Sequence, residues 1–434
     1  MAERSSTAGR RGQVGIDALL ASKEMVIVCG SGGTGKTTIA ATLGVIAATR
    51  LGARVLVLTV DPARRLADAL GLGPLGNAEV QVAPKLLAAA DPVGRGDRRL
   101  DDAKHGELWV AMLDTKSGWD ELIRRHAPDA LVRDQILANS LYQNVTGRFV
   151  HSHDYLAMER LHEVHASGRY DLIVIDTPPS RNALDLLDAP GRMKEFFGSR
   201  LLRWLTVPYR SRFFTVASKP FYQVADRILG SHFLHDIAEF FVLFQTMEDG
   251  FVQRANEVER LLIDPRTSFV VVSTLEAAPA YEAVTLSREL ERRSMHLGAV
   301  VLNRVLPTAF RSAAAAKSAR RLRAAIGAKP GATPDGEAAA AVDKAAQHSG
   351  SVVARVAKAI GADPVEVGDV LAEVSARFHD VAVVASREAE RRNELERIGA
   401  LTVSAPSLPF DVTDLDALAL LGAHLLQRIP AGAT

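Results

Sequence analysis

The sequence predicts an α/β fold built on a doubly wound, mainly parallel sheet, with a helical insertion subdomain. Three observations carry that expectation. Apolar runs of strand length alternate with stretches of helical period along the 434 residues. The runs are continuous, as expected where helices cover both faces of a sheet. The first run leads straight into a glycine-rich loop and then a helix.

The strand candidates, in order, are "MVIVCG" (25–30), "RVLVLTV" (54–60), the less marked "ELWVAML" (107–113), "DLIVIDT" (171–177), "SFVVVST" (268–274), "GAVVLNR" (298–304) and "ALTVSA" (400–405). A helix after the first strand is expected from Ile39, Leu43 and Ile46 on one face. Over a hundred residues separate the second strand from "DLIVIDT", too many for one crossover helix. Helices such as "HDYLAMERLHEVHASG" (153–168), and room for an added strand, belong there.

These elements divide the chain as follows. Residues 1–22 form a basic, polar, disordered tail, whose "MAERSSTAGRRGQVG" lacks the apolar core of a secretory signal. The first part of the sheet domain is 23–187, a Phe-rich helical subdomain is 188–264, and the second part of the sheet domain is 265–310. Residues 311–350 are an Ala-rich insertion ending in the loose "GAKPGATPDGEAAAA", and 351–427 return to helices, a last strand and a C-terminal helix.

Composition narrows the function. Hydrophobic residues are 47%, charged residues 24% and the net charge is +1. This ordinary balance argues against nucleic acid as a partner and leaves at most peripheral contact with a membrane. No apolar run approaches the roughly 20 residues of a membrane span, and a cytoplasmic protein is expected. The single cysteine, Cys29, excludes a disulfide within the chain and a multi-thiolate metal site.

The chemistry lies in "GSGGTGKTT" (30–38). Gly30-x-x-x-x-Gly35-Lys36-Thr37, between a strand and a helix, fits the phosphate-loop pattern. Glycines let several backbone N–H groups converge on phosphate oxygens, and the helix turns its positive end toward the same anions. Lys36 adds a cation, and the Thr37 hydroxyl is a hard ligand for Mg²⁺. Asp61 and Asp176 each follow or end a strand at the carboxyl edge, where doubly wound sheets bind ligands. Each could equally be a turn or cap aspartate.

"GSGGTGKTT", "LTVDPARRLADALG" and "IVIDTPPSRNALDLLDAP" together resemble the arsenite-pump ATPase family, of the MinD-type phosphate-loop class. Its members include the eukaryotic ATPase that targets tail-anchored membrane proteins. "VVLNRV" and "SAPSLPFDVTDLDAL" are similar to the family's adenine-recognition strand and final loop. The likeness covers roughly 24–305 and 397–425, leaving 311–395 private to this chain or its subfamily. "LWVAMLDTKSGWDELIRRHAPD" adds a likeness to a bacterial branch whose members work as paired paralogues.

The resemblance implies ATP or ADP and Mg²⁺ as cofactors. It puts Gly32, Gly33, Thr34, Gly35, Lys36, Thr37 and Thr38 around the phosphates, with Thr37 on Mg²⁺ and Asp176 holding the metal through water. It makes Asp61 the residue that orients the attacking water, and Thr177, Pro178 and Pro179 sensors of the γ-phosphate. Asn303 would read the adenine edge, and the Pro406–Pro409 loop would pack on the base. A carboxamide offers the donor and acceptor that adenine presents; the alternative for Asn303 is a helix cap.

Three departures bear on function. The family carries lysine where this chain has Ser31. That lysine reaches a dimer partner's phosphates as an arginine finger does. Either turnover is low, Arg64, Arg65 or Arg181 substitutes, or a paralogous partner supplies the cation. One cysteine cannot build the metalloid site, so the chain is not expected to serve an arsenite pump. The zinc-binding Cys-x-x-Cys that clips the tail-anchor-targeting dimer is also missing. The expected function is an Mg²⁺-dependent ATPase whose homodimer, or heterodimer with a paralogous ATPase, opens and closes around a hydrophobic client. The alternative is a regulatory nucleotide-binding subunit with little hydrolysis of its own.

The Phe-rich segment leaves alternatives open. Ten of the fifteen phenylalanines lie between Phe196 and Phe251. Phe233, Ile237, Phe240, Phe244, Met247 and Phe251 fall on one side at helical spacing, with Phe241 and Leu243 beside them. They fit a self-contained core, a groove for a client helix or lipid, or, with the arginines of "RLLRWLTVPYRSRFF", a membrane-facing surface. His151, His153, His162 and His165 read as solvated or helix-face residues rather than a metal site. A MinD-like membrane-positioning role would need a terminal amphipathic helix, for which "ALALLGAHLLQRIP" is the only candidate and reads better as the last core helix.

Overall fold

The computed structural model describes residues 15–60, 65–73, 75–90, 106–113, 115–139, 142–143, 152–177, 188–192, 194–195, 239–327 and 352–426. In chain order its main elements are α1 (Ile16–Ala21), β1 (Met25–Cys29), α2 (Lys36–Arg50), β2 (Arg54–Thr59), α3 (Arg65–Ala69), β3 (Val80–Gln81), α4 (Pro84–Ala89) and β4 (Glu107–Met112). Next come α5 (Thr115–His126), α6 (Ala130–Ala138), α7 (Ser152–Ala166), β5 (Leu172–Asp176), α8 (Glu248–Ile263), β6 (Thr267–Ser273) and α9 (Ala277–Arg292). The chain continues through β7 (Leu297–Val305), α10 (Ala313–Gly327), α11 (Pro364–Glu396), β8 (Leu401–Pro406) and α12 (Leu415–Leu426).

The strands form one 8-stranded sheet in the order β3-β4-β2-β5-β1-β6-β7-β8. Every neighbouring pair is parallel except β3 with β4. This is the α/β, mainly parallel architecture expected. All the strand candidates read from the sequence form strands, "ELWVAML" included. β1 and β5 are buried at every position because helices lie on both faces. β3, a two-residue antiparallel edge with both residues exposed, left no apolar run to detect.

From β1 the chain moves through α2 to β2 on one side; later β6 enters on the other side, and β5 fills the gap between β1 and β2. β1 therefore marks the topological switch point. Such sheets open a crevice there, at the carboxyl ends of the strands.

Two hydrophobic layers sandwich the sheet. On one face α2 is packed by α12 and by α1, whose buried Ile16, Leu19 and Leu20 put residues 16–21 in the core and not in the disordered tail expected over 1–22. α2 is buried around almost its whole circumference and not only at Ile39, Leu43 and Ile46. Its outer side is covered by the helix of "ALALLGAHLLQRIP", whose Leu418, Leu421 and Leu425 are buried. The other face holds α5, α7, α8 and an aromatic cluster. Trp119 lies 6.1 Å from Phe244 and 6.4 Å from Phe251, and Tyr155 lies 5.7 Å from Phe251, ring centre to ring centre. Phe240, Phe244, Met247 and Phe251 all point into this core, with Phe241 and Leu243 at its margin.

The described part of the Phe-rich segment thus packs on its own protein. Residues 196–238, with Phe233 and Ile237, lie outside the described residues. The expected single helix is also interrupted: residues 239–245 are helical, Thr246 and Met247 turn, and α8 resumes. The Thr246 hydroxyl donates to the Leu243 carbonyl at 2.6 Å, which satisfies the end of the first segment. Apolar periodicity survives the turn because both segments face the same core.

Beyond β7, α10 and the 33-residue α11 pack against each other. Asp363 caps α11 and Pro364 occupies its first turn. Among the described residues, no helix is long and apolar enough to cross a membrane.

Candidate functional site

The loop between β1 and α2 is shaped by glycines that no other residue could replace. Gly30 has φ 142°, and a Cβ there would lie 2.1 Å from the Val272 carbonyl oxygen of β6. Gly35 caps α2 with φ 91°, and a Cβ would fall 2.3 Å from the Asn303 amide nitrogen. Both values lie in the region that L side chains rarely adopt.

Between them the loop closes on the Ser31 carbonyl. The Thr34 hydroxyl and the Lys36 ammonium each donate to it at 2.9 Å. Gly32 and Gly33 are exposed at the rim, whereas Thr34 and Lys36 are buried. The Thr38 carbonyl accepts the Thr42 hydroxyl along α2 at 2.7 Å. The lysine is therefore folded over its own loop at the positive end of α2.

Parallel register brings the acid in. Val28 of β1 and Thr59 of β2 both pair with Asp176 at the end of β5. Asp176 is 0% exposed. Its Oδ2 accepts hydroxyl hydrogen bonds from Thr37 at 2.7 Å and Thr59 at 2.9 Å. A hydroxyl and a carboxylate at hydrogen-bonding distance are hard oxygen donors of the kind that Mg²⁺ takes. The next residue, Thr177, donates through its hydroxyl to the Val28 carbonyl at 2.9 Å.

β7 supplies the far wall. Its pairing with β8 shifts register between Leu302 and Val305, and Arg304 there has φ 56°. This bulge turns Asn303 toward the loop. The Asn303 amide donates to the Thr34 carbonyl at 2.8 Å, and its oxygen accepts the Arg304 N–H at 2.9 Å. Pro406, at the end of β8, pairs with Val305, and the Ser407 N–H donates to the Val305 carbonyl at 2.9 Å.

The structure thus gathers the 30–38 loop, Asp176, Thr177 and Asn303 at one strand-end crevice, with Pro406 beside Val305. Asp61, Arg64, Pro178, Pro179 and Arg181 lie outside the described residues. Sequence reasoning missed Thr59, whose only signal is its register opposite the Asp176 strand end. It also missed Glu282 on α9, whose carboxylate accepts the Ser31 hydroxyl at 2.5 Å. Ser31, where the resemblance implies a lysine, is therefore engaged within the same chain.

Cys29, at the end of β1, has its thiol pushed up to about 12 by burial, with Lys36 opposing. It is a packing residue, not a nucleophile. The histidines take separate carboxylate partners: His162 lies 3.0 Å from Glu257 and His165 lies 3.1 Å from Glu24. The side chains of His151 and His153 lie outside the described residues.

Residues 23–325 match the anion-transporting ATPase family, a stretch reaching further than the 305 expected. An uncharacterized protein of Streptomyces coelicolor is 29% identical over 65% of this chain and 62% of its own length. An ATPase ASNA1 homolog of Entamoeba dispar is 24% identical over 65% of this chain and 76% of its own length. An ATPase ASNA1 homolog of Paramecium tetraurelia is 26% identical over 65% and 74%. The chain thus spans less than two thirds of the Streptomyces relative's length.

Proposed function

This chain belongs to the anion-transporting ATPase family, and on that premise we propose that it binds ATP with Mg²⁺ after β1 and hydrolyses it. The observation that carries the reading is the convergence of the Thr37 and Thr59 hydroxyls on buried Asp176, next to a loop closed by Lys36. Phosphate binding would swing Lys36 from the Ser31 carbonyl onto the β- and γ-phosphates, while the loop N–H groups and the α2 dipole hold the remaining charge. Thr37 and Asp176 would hold Mg²⁺, directly and through water, and the metal would neutralise developing charge on the phosphates. Asp61, two residues past Thr59, would position the attacking water.

Asn303 has a second amide hydrogen and a second oxygen lone pair beyond the contacts it makes here. Those would face the base, with Pro406 packing against it. Nucleotide state would open and close a homodimer, or a heterodimer with a paralogous ATPase, that handles a hydrophobic client in the cytoplasm. An arsenite-pump role is not proposed, since Cys29 is the only thiol in the chain.

A second reading has its own support. Ser31 is tied to Glu282 within the chain, as suits a subunit that binds nucleotide and hydrolyses little alone. Turnover by the purified chain separates the two readings. Asp61→Asn should keep ATP binding and lose phosphate release; equal turnover in both proteins would sink the catalytic assignment. Lys36→Ala should lose nucleotide affinity. Mass in solution with and without ATP, alone and with a lysine-bearing paralogue, tests the dimer, and a monomer under all conditions would defeat it.

A further inference from the structure

Glu388, Arg391 and Arg392 sit in the last turns of α11, outside the family match that ends at residue 325. α11 packs on α10, and its Phe378 ring lies tilted, 5.6 Å from the ring of Phe310 in the short turn of helix before α10. The final turns of α11 reach successive strand ends of the sheet. The Arg391 guanidinium donates to the Leu275 carbonyl at 2.9 Å, just past β6. The Glu388 carboxylate accepts the Leu306 N–H at 3.4 Å, just past β7. The Arg392 guanidinium donates to the Ser404 hydroxyl at 3.0 Å, on β8.

These anchor points adjoin the candidate site. Leu306 follows Asn303 by three residues, and Ser404 precedes Pro406 by two. Leu275 leads into α9, which carries Glu282, the partner of Ser31. Arg392 is only 9% exposed. Burying a guanidinium costs several kcal/mol unless its geometry is well matched, so an apolar residue would fill that space more cheaply if filling were all that mattered.

We propose that Glu388, Arg391 and Arg392 are positioning residues for nucleotide binding: they fix the β6, β7 and β8 ends so that Asn303 and Pro406 are held at the spacing of a purine base. The helical arm outside the family match is thereby tied to the base end of the site, and reaches the phosphate loop only indirectly, through the Asn303–Thr34 bond and through α9. This inference rests on the ATP-binding reading above.

The test compares ATP with inorganic tripolyphosphate, which has the phosphates and no base, by titration calorimetry of the full chain. In Arg392→Ala and Arg391→Ala, ATP affinity falls roughly tenfold, as expected for losing a charged hydrogen bond that orders a loop, while tripolyphosphate affinity falls clearly less, because Asn303 touches the phosphate loop only at the Thr34 carbonyl. Ser404→Ala removes the same Arg392 contact from the other side with little change in volume and should give the same pattern; Arg392→Lys should recover part of the loss. Equal losses for both ligands would show a merely structural role and overturn the proposal, as would unchanged ATP affinity in all the variants. If the unmodified chain binds tripolyphosphate but not ATP, the base-end assignment fails. If it binds neither, the ATP-binding reading fails with it.

Discussion

The Asn303 carboxamide donates to the Thr34 carbonyl at 2.8 Å, locking the end of β7 onto the loop after β1 across 269 residues of sequence. Gly35 is the contact surface: a Cβ there would overlap the Asn303 nitrogen. Removing the carboxamide should therefore disturb phosphate and base binding together. For Asn303→Ala we expect ATP affinity to drop about tenfold, from hydrogen bonds worth about 1 kcal/mol each. Asn303→Asp should be worse, because a carboxylate would face the Thr34 carbonyl without a donor. Fluorescence titration with a labelled nucleotide checks this, and wild-type affinity in both variants would refute the brace.

Thr59 and Thr37 share one carboxylate oxygen of Asp176. Thr59→Val keeps the shape of the side chain and deletes a donor to a fully buried acid. Depriving a buried charge of a partner costs about 1–3 kcal/mol, so the urea midpoint should fall measurably. Mg²⁺ dependence of nucleotide binding should persist in Thr59→Val and vanish in Asp176→Asn. If Asp176→Asn kept its Mg²⁺ response, the metal assignment to Asp176 would be wrong.

Much of this frame was legible in the sequence for identifiable reasons. β1, β2, β5, β6 and β7 are covered on both faces, so each reads as an unbroken apolar run. The loop from Gly30 to Thr38 is contiguous, because phosphate binding needs consecutive N–H groups followed by a helix. What escaped notice depends on tertiary register. Thr59 meets Asp176 across 117 residues, Ser31 meets Glu282 across 251, and Arg391 meets Leu275 across 116. No local pattern encodes those pairs. The break at Thr246–Met247 escaped for the opposite reason: the apolar period runs through it undisturbed.

Phe251 is 0% exposed and touches Trp119, Tyr155 and Phe244, with the Arg254 guanidinium 5.2 Å from its ring centre. Phe251→Ala should cost about 3–5 kcal/mol of stability. Phe241, at the cluster margin, should cost clearly less on the same substitution. Paired urea denaturation curves decide it, and equal losses would contradict the inward packing of α8.

His126 has its pKa lowered to about 4, first by burial and then by the Arg254 and Arg125 guanidinium groups, with Glu163 opposing. Glu159 lies 3.8 Å away and does not outweigh them. In the unfolded chain this histidine titrates near 6.5. Between those values the unfolded state binds a proton that the folded state does not, so stability must fall as pH drops from about 6.5 toward 4. His126→Gln should flatten that slope when urea midpoints are compared at pH 7 and pH 5. An unchanged slope would show that other groups carry the acid sensitivity.

Glu282 gives the Ser31 position a further consequence. In a Ser31→Lys variant the new ammonium would have the Glu282 carboxylate, which now accepts the Ser31 hydroxyl at 2.5 Å, within easy reach. A lysine paired at home cannot extend to a partner's phosphates, so Ser31→Lys alone should raise phosphate release little. Adding Glu282→Ala frees the cation. Because a charge supplied in trans is worth about 10³ or more in turnover where fully effective, even a partly effective one should raise the rate at least tenfold over Ser31→Lys. That gain should grow with protein concentration, since it needs a second subunit, and Glu282→Ala alone should show none of it. Equal rates for Ser31→Lys with and without Glu282→Ala would mean that Glu282 does not govern how this position acts.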